Sequence, residues 1–211
     1  FKPTEQVLEL IANALKIKPD FLYSERKYAL ESDVCDFRSK KSRTQTLTNS
    51  VLARAEILYI IISAIEEEIE FPDVSIPEFP GAELKTFNDI ERVAEECRRV
   101  WNLGLGPISS MAKLAESAGV IVAYVTGVDD KVDAFTVHNT RPVSIRNNAK
   151  KSVCRFRSDI GHELGHLVMH EGIITGDKTT ESQAARFSSA LLAPRLSLIK
   201  EIPRIRGKQF D

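Results

Sequence analysis

The sequence predicts an α+β fold in which helical segments precede a small three-stranded sheet and a helix that carries an HExxH pattern. Three observations lead to this prediction. Apolar residues recur at helical spacing in the first half of the chain, short segments rich in β-branched residues occupy residues 120–146, and helical spacing returns from about residue 152. With 211 residues, the chain is long enough for one or two domains and a hydrophobic core.

The N-terminal part is predicted to be mainly helical. Apolar spacing predicts an amphipathic helix over residues 4–16 and a long helix over residues 46–70. The polar stretch between them predicts a linker, and the proline-rich stretch after the long helix predicts an extended connector. The predicted organisation therefore has four parts: residues 1–24, a linker at 25–43, the long helix and connector at 44–81, and a domain at 82–211.

The last part contains the predicted sheet. A helix is expected over Asp89–Trp101, capped by Asn88 or Asp89, and a shorter helix should end at Gly119 in a left-handed cap. That shorter helix covers Ser109–Ser117. The other predicted elements are strands at Val120–Val125, Val132–His138 and Pro142–Arg146, and helices at about 152–170 and 180–192.

The composition is that of an ordinary globular protein, with 43% hydrophobic and 28% charged residues. The net charge of −1 excludes a surface that is basic throughout, as in many nucleic-acid-binding proteins, but leaves room for a local basic patch. Three widely spaced cysteines (Cys35, Cys97 and Cys154), without a CxxC pair, predict reduced thiols and a cytoplasmic protein.

We expect no secretory signal and no membrane partner. The most apolar stretch, Ile57 to Ile65, is shorter than a membrane span and is followed by Glu66-Glu67-Glu68. Because the chain begins with Phe1 instead of methionine, we also expect it to be a piece of a longer product.

The chemistry is concentrated in the segment Gly161-His162-Glu163-Leu164-Gly165-His166. Two histidines four residues apart point the same way from a helix, so their rings can converge on one zinc ion. Glu163 adjoins the open coordination position, where it can take a proton from metal-bound water. A solvated helix that merely carries histidines is the alternative, and it fits poorly because three of the four histidines lie within nine residues.

A catalytic zinc site needs a third protein ligand. Glu181 opens the next predicted helix, and a helix–turn–helix return would bring it beside the histidines; it also suits the helix dipole at that position. His170 is the main competitor, although it lies too far round the helix to join the same ion comfortably. Glu171, Asp177 and Glu116 are weaker alternatives.

The segment Arg155–His170, followed by Glu181-Ser182-Gln183-Ala184-Ala185-Arg186-Phe187 and Ala190-Leu191-Leu192-Ala193-Pro194, resembles the ImmA/IrrE family of zinc metallopeptidases. That family pairs an HELGH helix with an E-x-x-A-x-x-F-A helix that ends in L-L-x-P. Weaker matches extend the resemblance to roughly residues 88–195. It implies a zincin-like metallopeptidase domain with His162, His166 and Glu181 as zinc ligands and Glu163 as the general base.

The chain departs from the family just before the motif. Ser158-Asp159 stands where the family has Phe-Thr, and Gly161 stands where it has alanine. These departures predict a looser core contact before the helix and an added carboxylate near the site, with the ligands intact.

Residues 3–23 resemble the closing helix of a lambda-repressor-like helix-turn-helix domain whose recognition helix would precede Phe1. Phe37-Arg38 after a linker resembles regulators that join such a domain to an ImmA/IrrE peptidase. DNA would then be a partner through a domain that this chain lacks. The alternatives are a plain amphipathic helix and, for the basic run Arg38, Lys40, Lys41 and Arg43, a solvated linker.

Two functional hypotheses follow. The first is a zinc-dependent regulatory endopeptidase that cleaves a repressor or another protein, with the substrate extended along a sheet edge and its oxyanion steadied by His138 or Tyr124. The second is a DNA-binding regulator whose metallopeptidase-like domain senses a ligand or holds zinc with little proteolysis. Glu163 favours the first hypothesis, since a structural zinc needs no base. The long helix is either a homodimer contact or a domain connector.

Overall fold

The computed structural model describes residues 3–25, 28, 30, 35–37, 45–79, 83–125, 134–137, 141–147, 152–173 and 175–201. This part of the chain has an α+β fold. Its elements are α1 (Glu5–Leu15), α2 (Pro19–Tyr23), β1 (Cys35–Phe37), α3 (Gln45–Glu66), α4 (Phe87–Val100), α5 (Met111–Ser117), β2 (Ile121–Val125), β3 (Ala134–Val137), β4 (Val143–Asn147), α6 (Val153–Met169), α7 (Lys178–Leu192) and α8 (Arg195–Glu201).

The sheet has four strands in the order β1-β3-β4-β2. The three predicted strands are present: β3 runs antiparallel to β4, and β2 runs parallel to β4. The prediction of three strands is nevertheless incomplete, because β1 pairs antiparallel with β3, with Asp36 opposite Thr136. A strand of three residues is too short to show a period of two, so it was hidden within the predicted linker.

The sheet separates two hydrophobic clusters. Val137, Val143 and Ile145 pack with α3 on one face, whereas Val122 contacts the cluster formed by α4–α7 on the other. Successive side chains of a strand point to opposite faces. Thr136 and its cross-strand partner Ser144 therefore lie on the α6 face, and both are buried. This placement brings a strand hydroxyl beside the HExxH helix.

The long helix α3 ends at Glu66, four residues before its predicted end, in a turn where the Ile69 N–H donates to the carbonyl of Ile65. The expectation that no run reaches membrane-spanning length was wrong. Thr48–Glu66 is long and apolar enough to cross a membrane by length and composition alone, with 28% of its most apolar window buried inside the protein. Core helices of globular proteins pass the same test, and the absence of a membrane partner stays a prediction.

The helix α4 begins two residues earlier than predicted, and its cap is Thr86, not Asn88 or Asp89. The Thr86 hydroxyl accepts from the Asp89 N–H at 3.2 Å, while the Asp89 carboxylate accepts from the Thr86 N–H at 2.8 Å. This capping box satisfies two backbone donors that the helix start leaves free. The buried residues of α4 include Ile90, Ala94 and Cys97, whereas Val100 near its end is exposed.

The predicted position of Gly119 after α5 is confirmed. Its φ is +83°, and a Cβ there would lie 2.6 Å from the carbonyl oxygen of Asp73. Only glycine satisfies both requirements, so the connector at 71–79 can pass close to the start of β2. The Ser75 N–H donates to the carbonyl of Ala118 at 3.0 Å.

The N-terminal helix α1 confirms the predicted amphipathic helix over 4–16 to within one residue at each end. Ala12 is buried, whereas Leu10 and Leu15 are exposed. The basic run from Arg38 to Arg43 lies outside the described residues. The helix-turn-helix origin of residues 3–23 and the four-part organisation stay predictions.

Candidate metal centre

The helix α6 presents His162 and His166 from one face. Ser152 caps its start by accepting from the Arg155 N–H, and the helix continues to Met169. One turn apart, the two rings have centroids 4.7 Å apart, and their Nε2 atoms are 3.1 Å apart. Both side chains are buried. The i, i+4 spacing thus aims two ring nitrogens at one point.

The helix α7 returns along α6 and supplies a carboxylate at the same point. Its cap is Asp177, whose side chain accepts from the Thr179 and Thr180 N–H groups. In the first turn of α7, Glu181 Oε2 lies 3.3 Å from His162 Nε2, and Oε1 lies 3.5 Å from His166 Nε2. Burial raises the pKa of Glu181, but hydrogen bonds and charge from the two histidines outweigh it and bring the pKa to about 2. The carboxylate is therefore ionised at neutral pH.

The spacing of these three donors fits a tetrahedral metal ion. Donor–metal distances of about 2.0–2.1 Å imply donor–donor edges of about 3.3–3.4 Å. The separations of 3.1, 3.3 and 3.5 Å match those edges. His162, His166 and Glu181 are also the described residues that cluster as a candidate metal site. Two imidazoles and one carboxylate would leave a fourth position open, as catalytic sites require.

Two glycines on α6 allow α7 to approach this closely. A Cβ at Gly165 would lie 3.0 Å from a ring carbon of Phe187 and 3.3 Å from the backbone of Ala184. A Cβ at Gly161 would lie 2.6 Å from Ser188 Oγ. The contact between the helices, and hence the reach of Glu181 to the histidines, depends on these missing methyl groups.

The contact at Gly161 is close, whereas the loosening expected from Ser158-Asp159 stays a prediction. Ser188 occupies the space that the glycine leaves, and its hydroxyl donates to the Ser158 carbonyl at 2.7 Å. The family pattern has alanine at both positions, so this chain combines a smaller residue on α6 with a larger one on α7. The added carboxylate, Asp159, is buried in α6.

Glu163 is held by a residue that the sequence analysis did not identify. The Thr136 hydroxyl of β3 donates a short hydrogen bond to Glu163 Oε2, and both residues are buried. The alternation of β3 indicated which residues share a face, but the sequence alone did not show that α6 covers this face. The sheet thereby holds one oxygen of the Glu163 carboxylate.

None of the other predicted ligands that the structure describes belongs to the three-donor cluster. His170 faces the outer side of the His166 ring, with 2.9 Å between the two Nδ1 atoms. Asp177 serves as the helix cap, and Glu171 is exposed at the end of α6. Tyr124 is exposed and its ring stacks on Phe156. His138 lies outside the described residues, so its suggested role stays a prediction.

Comparison with known families agrees with this geometry. Residues 115–211 match the family model described as Peptidase_M78, the IrrE N-terminal-like domain. The match includes the sheet strands β2–β4, both helices of the site and all three donors. It supports the ImmA/IrrE family and a metallopeptidase-like domain over this part of the chain. No curated protein matches the chain.

The match begins later than the predicted resemblance, which started at residue 88. It therefore leaves α1–α4 unassigned, and the joined helix-turn-helix domain stays a prediction. The metal itself is indicated by the family and by the donor cluster, whereas its identity as zinc is not.

Proposed function

We propose that this protein is a zinc-dependent regulatory endopeptidase of ImmA/IrrE type that cleaves a repressor or another partner protein in the cytoplasm. The observation that carries the proposal is the three-donor cluster at tetrahedral spacing, on a helix that also carries the buried carboxylate of Glu163, the residue after His162. Two imidazoles and a carboxylate are a donor set that zinc accepts in hydrolases.

In this proposal His162, His166 and Glu181 hold the ion, which when bound supplies a Lewis acid and lowers the pKa of its water. Glu163 would be the general base of this reaction, accepting a proton and returning it to the leaving amine. The Thr136 hydroxyl donates to Glu163 Oε2 and would hold the carboxylate in one orientation for this role. A zinc site with only a structural role would need neither Glu163 nor its partner on β3.

An extended peptide substrate would pair with a strand edge. Among the described strands, β1 already covers the outer edge of β3, and β2 forms the opposite edge of the sheet. The edge nearest Glu163 is thus occupied by residues 35–37 of the same chain. A substrate that pairs with β3 has to displace β1, which suits an enzyme whose activity is released by a signal.

The test compares the wild-type protein with Glu163→Gln and with Glu171→Gln, an exposed control at the end of the same helix. Each is incubated with purified repressors encoded beside the gene, and cleavage is followed by mass spectrometry. We expect about one zinc per chain in all three proteins, and cleavage by the wild type and the control alone. Cleavage by Glu163→Gln at the wild-type rate would remove Glu163 from the mechanism.

Zinc binding with no cleavage by any of the three proteins would favour the other hypothesis, a DNA-binding regulator that uses this domain to hold zinc or sense a ligand. A protein without bound zinc, and without affinity for added zinc, would contradict the peptidase and the zinc-holding form of the regulator.

A further inference from the structure

A chain of hydrogen bonds connects the backbone before α4 to the outer side of the His166 ring. Gln183 Nε2 lies 2.9 Å from the carbonyl oxygen of Leu84, and Gln183 Oε1 lies 2.8 Å from His170 Nε2. His170 Nδ1 is in turn 2.9 Å from His166 Nδ1. Both imidazole rings are buried.

The chemistry of the groups determines which atom donates in each of these hydrogen bonds. A backbone carbonyl only accepts, so the group that faces Leu84 is the amide N–H of Gln183, and Oε1 faces His170. Because Oε1 only accepts, His170 carries its proton on Nε2. In neutral His170 the Nδ1 atom is then an acceptor, and the N–H of His166 Nδ1 donates a hydrogen bond to it.

We propose that Gln183 and His170 are positioning residues that fix His166 in the tautomer with its proton on Nδ1. The Nε2 lone pair of His166 is then directed at the point shared with His162 and Glu181. This inference rests on the zinc site of the proposed function. Neither residue touches the ion; they act through the ring of His166, as partners of metal-bound histidines commonly do.

The same groups disfavour the alternative arrangement, in which each hydrogen bond runs in the opposite direction. A proton on His170 Nδ1 would leave the Nε2 lone pair facing the Gln183 oxygen, and two buried acceptors would then meet without a hydrogen. It would also require His166 to carry its proton on Nε2, which blocks the metal position. The Leu84 carbonyl thus determines the protonation of a ring three links away.

The direct test is a long-range ¹H–¹⁵N spectrum of zinc-loaded protein with ¹⁵N-labelled histidine. We expect His170 to be neutral with its proton on Nε2, and a coupling between His166 Nδ1 and His170 Nδ1 across their hydrogen bond. His170 with its proton on Nδ1, or protonated on both nitrogens, would overturn the proposal. This measurement needs no substitution and no peptidase activity.

A second test distinguishes the hydrogen-bond acceptor that Gln183 offers to His170 from the space that its side chain fills. Gln183→Glu keeps an acceptor for His170, whereas Gln183→Met has similar length without that acceptor. In competition with a chromophoric zinc chelator, we expect zinc affinity to fall about 10–100-fold in Gln183→Met. Gln183→Glu loses the amide donor to Leu84 but keeps the acceptor for His170, and it should lose less affinity than Gln183→Met. Equal affinity of Gln183→Met and wild type, or equal losses in the two variants, would contradict the proposal.

These outcomes are distinct from failure of the proposed function. If the protein takes up no zinc, the proposed zinc site and the proposed positioning residues are both contradicted. If it binds zinc normally but His170 has the other tautomer, only the proposed role of Gln183 and His170 fails. If the zinc content and both tautomers are as expected but no repressor is cleaved, the positioning role of Gln183 and His170 is supported and the peptidase function is not.

Discussion

The helices α6 and α3 are both long, yet their surroundings differ. In α6 every residue from Asp159 to Val168 is buried, including two histidines and two carboxylates. In α3 one side packs on the sheet, while Ile57, Ile61 and Ile65 are exposed. Polar groups in α6 therefore have fixed partners on β3 and α7. Between these two helices, the candidate metal ligands lie on α6, where close packing leaves the side chains the least conformational freedom.

Loss of a donor should have the largest effect in the α6–α7 region. In Glu181→Ala, two of the three donors remain, and we expect zinc affinity to fall by more than about 100-fold, beyond the effect of losing an outer partner. Chelator competition measures the change, and Glu171→Ala serves as the exposed control. If His170→Ala lowers the affinity more than Glu181→Ala does, the assigned set of ligands is wrong.

Loss of the hydrogen bond from Thr136 on β3 to Glu163 on α6 should have the next largest effect. Thr136→Val keeps the shape but removes the hydroxyl that holds Glu163. We expect the cleavage rate to fall about 10–100-fold with unchanged zinc content, less than the full contribution of a general base. Thr136→Ser retains the donor and should stay close to wild type. Equal rates for the valine and serine variants would show that the hydroxyl does not position Glu163.

The close approach of α6 to α7 gives a third prediction. Gly161→Ala places a methyl group against Ser188 Oγ, and we expect the free energy of unfolding to fall by about 1–3 kcal/mol. Ser188→Ala removes that oxygen, so the double variant should recover much of the loss. Denaturant titrations of the four proteins form a double-mutant cycle. Additive effects would mean that the two residues are not coupled.

The same comparison explains how much the sequence could predict. The i, i+4 histidines and the return of α7 to Glu181 were predictable because each depends on a local period and a short turn. The partners of Thr136, Ser188 and Gln183 were not, because they depend on which surfaces of distant segments meet. Three residues of β1 carry too little pattern for prediction. A cap such as Thr86 is identifiable only once the start of the helix is known within one residue.

The smallest effect is expected on the open side of α3. Ile61 is 49% exposed whereas its neighbour Ile62 is 5% exposed. Ile61→Gln should change the free energy of unfolding by no more than about 0.5 kcal/mol, whereas Ile62→Ala should cost about 2–5 kcal/mol. Sedimentation of Ile61→Gln also tests the predicted homodimer contact, because a polar group would weaken an apolar interface. If the wild type is a dimer and the variant a monomer, the exposed face of α3 is that contact; if both have the same mass, the face serves another purpose.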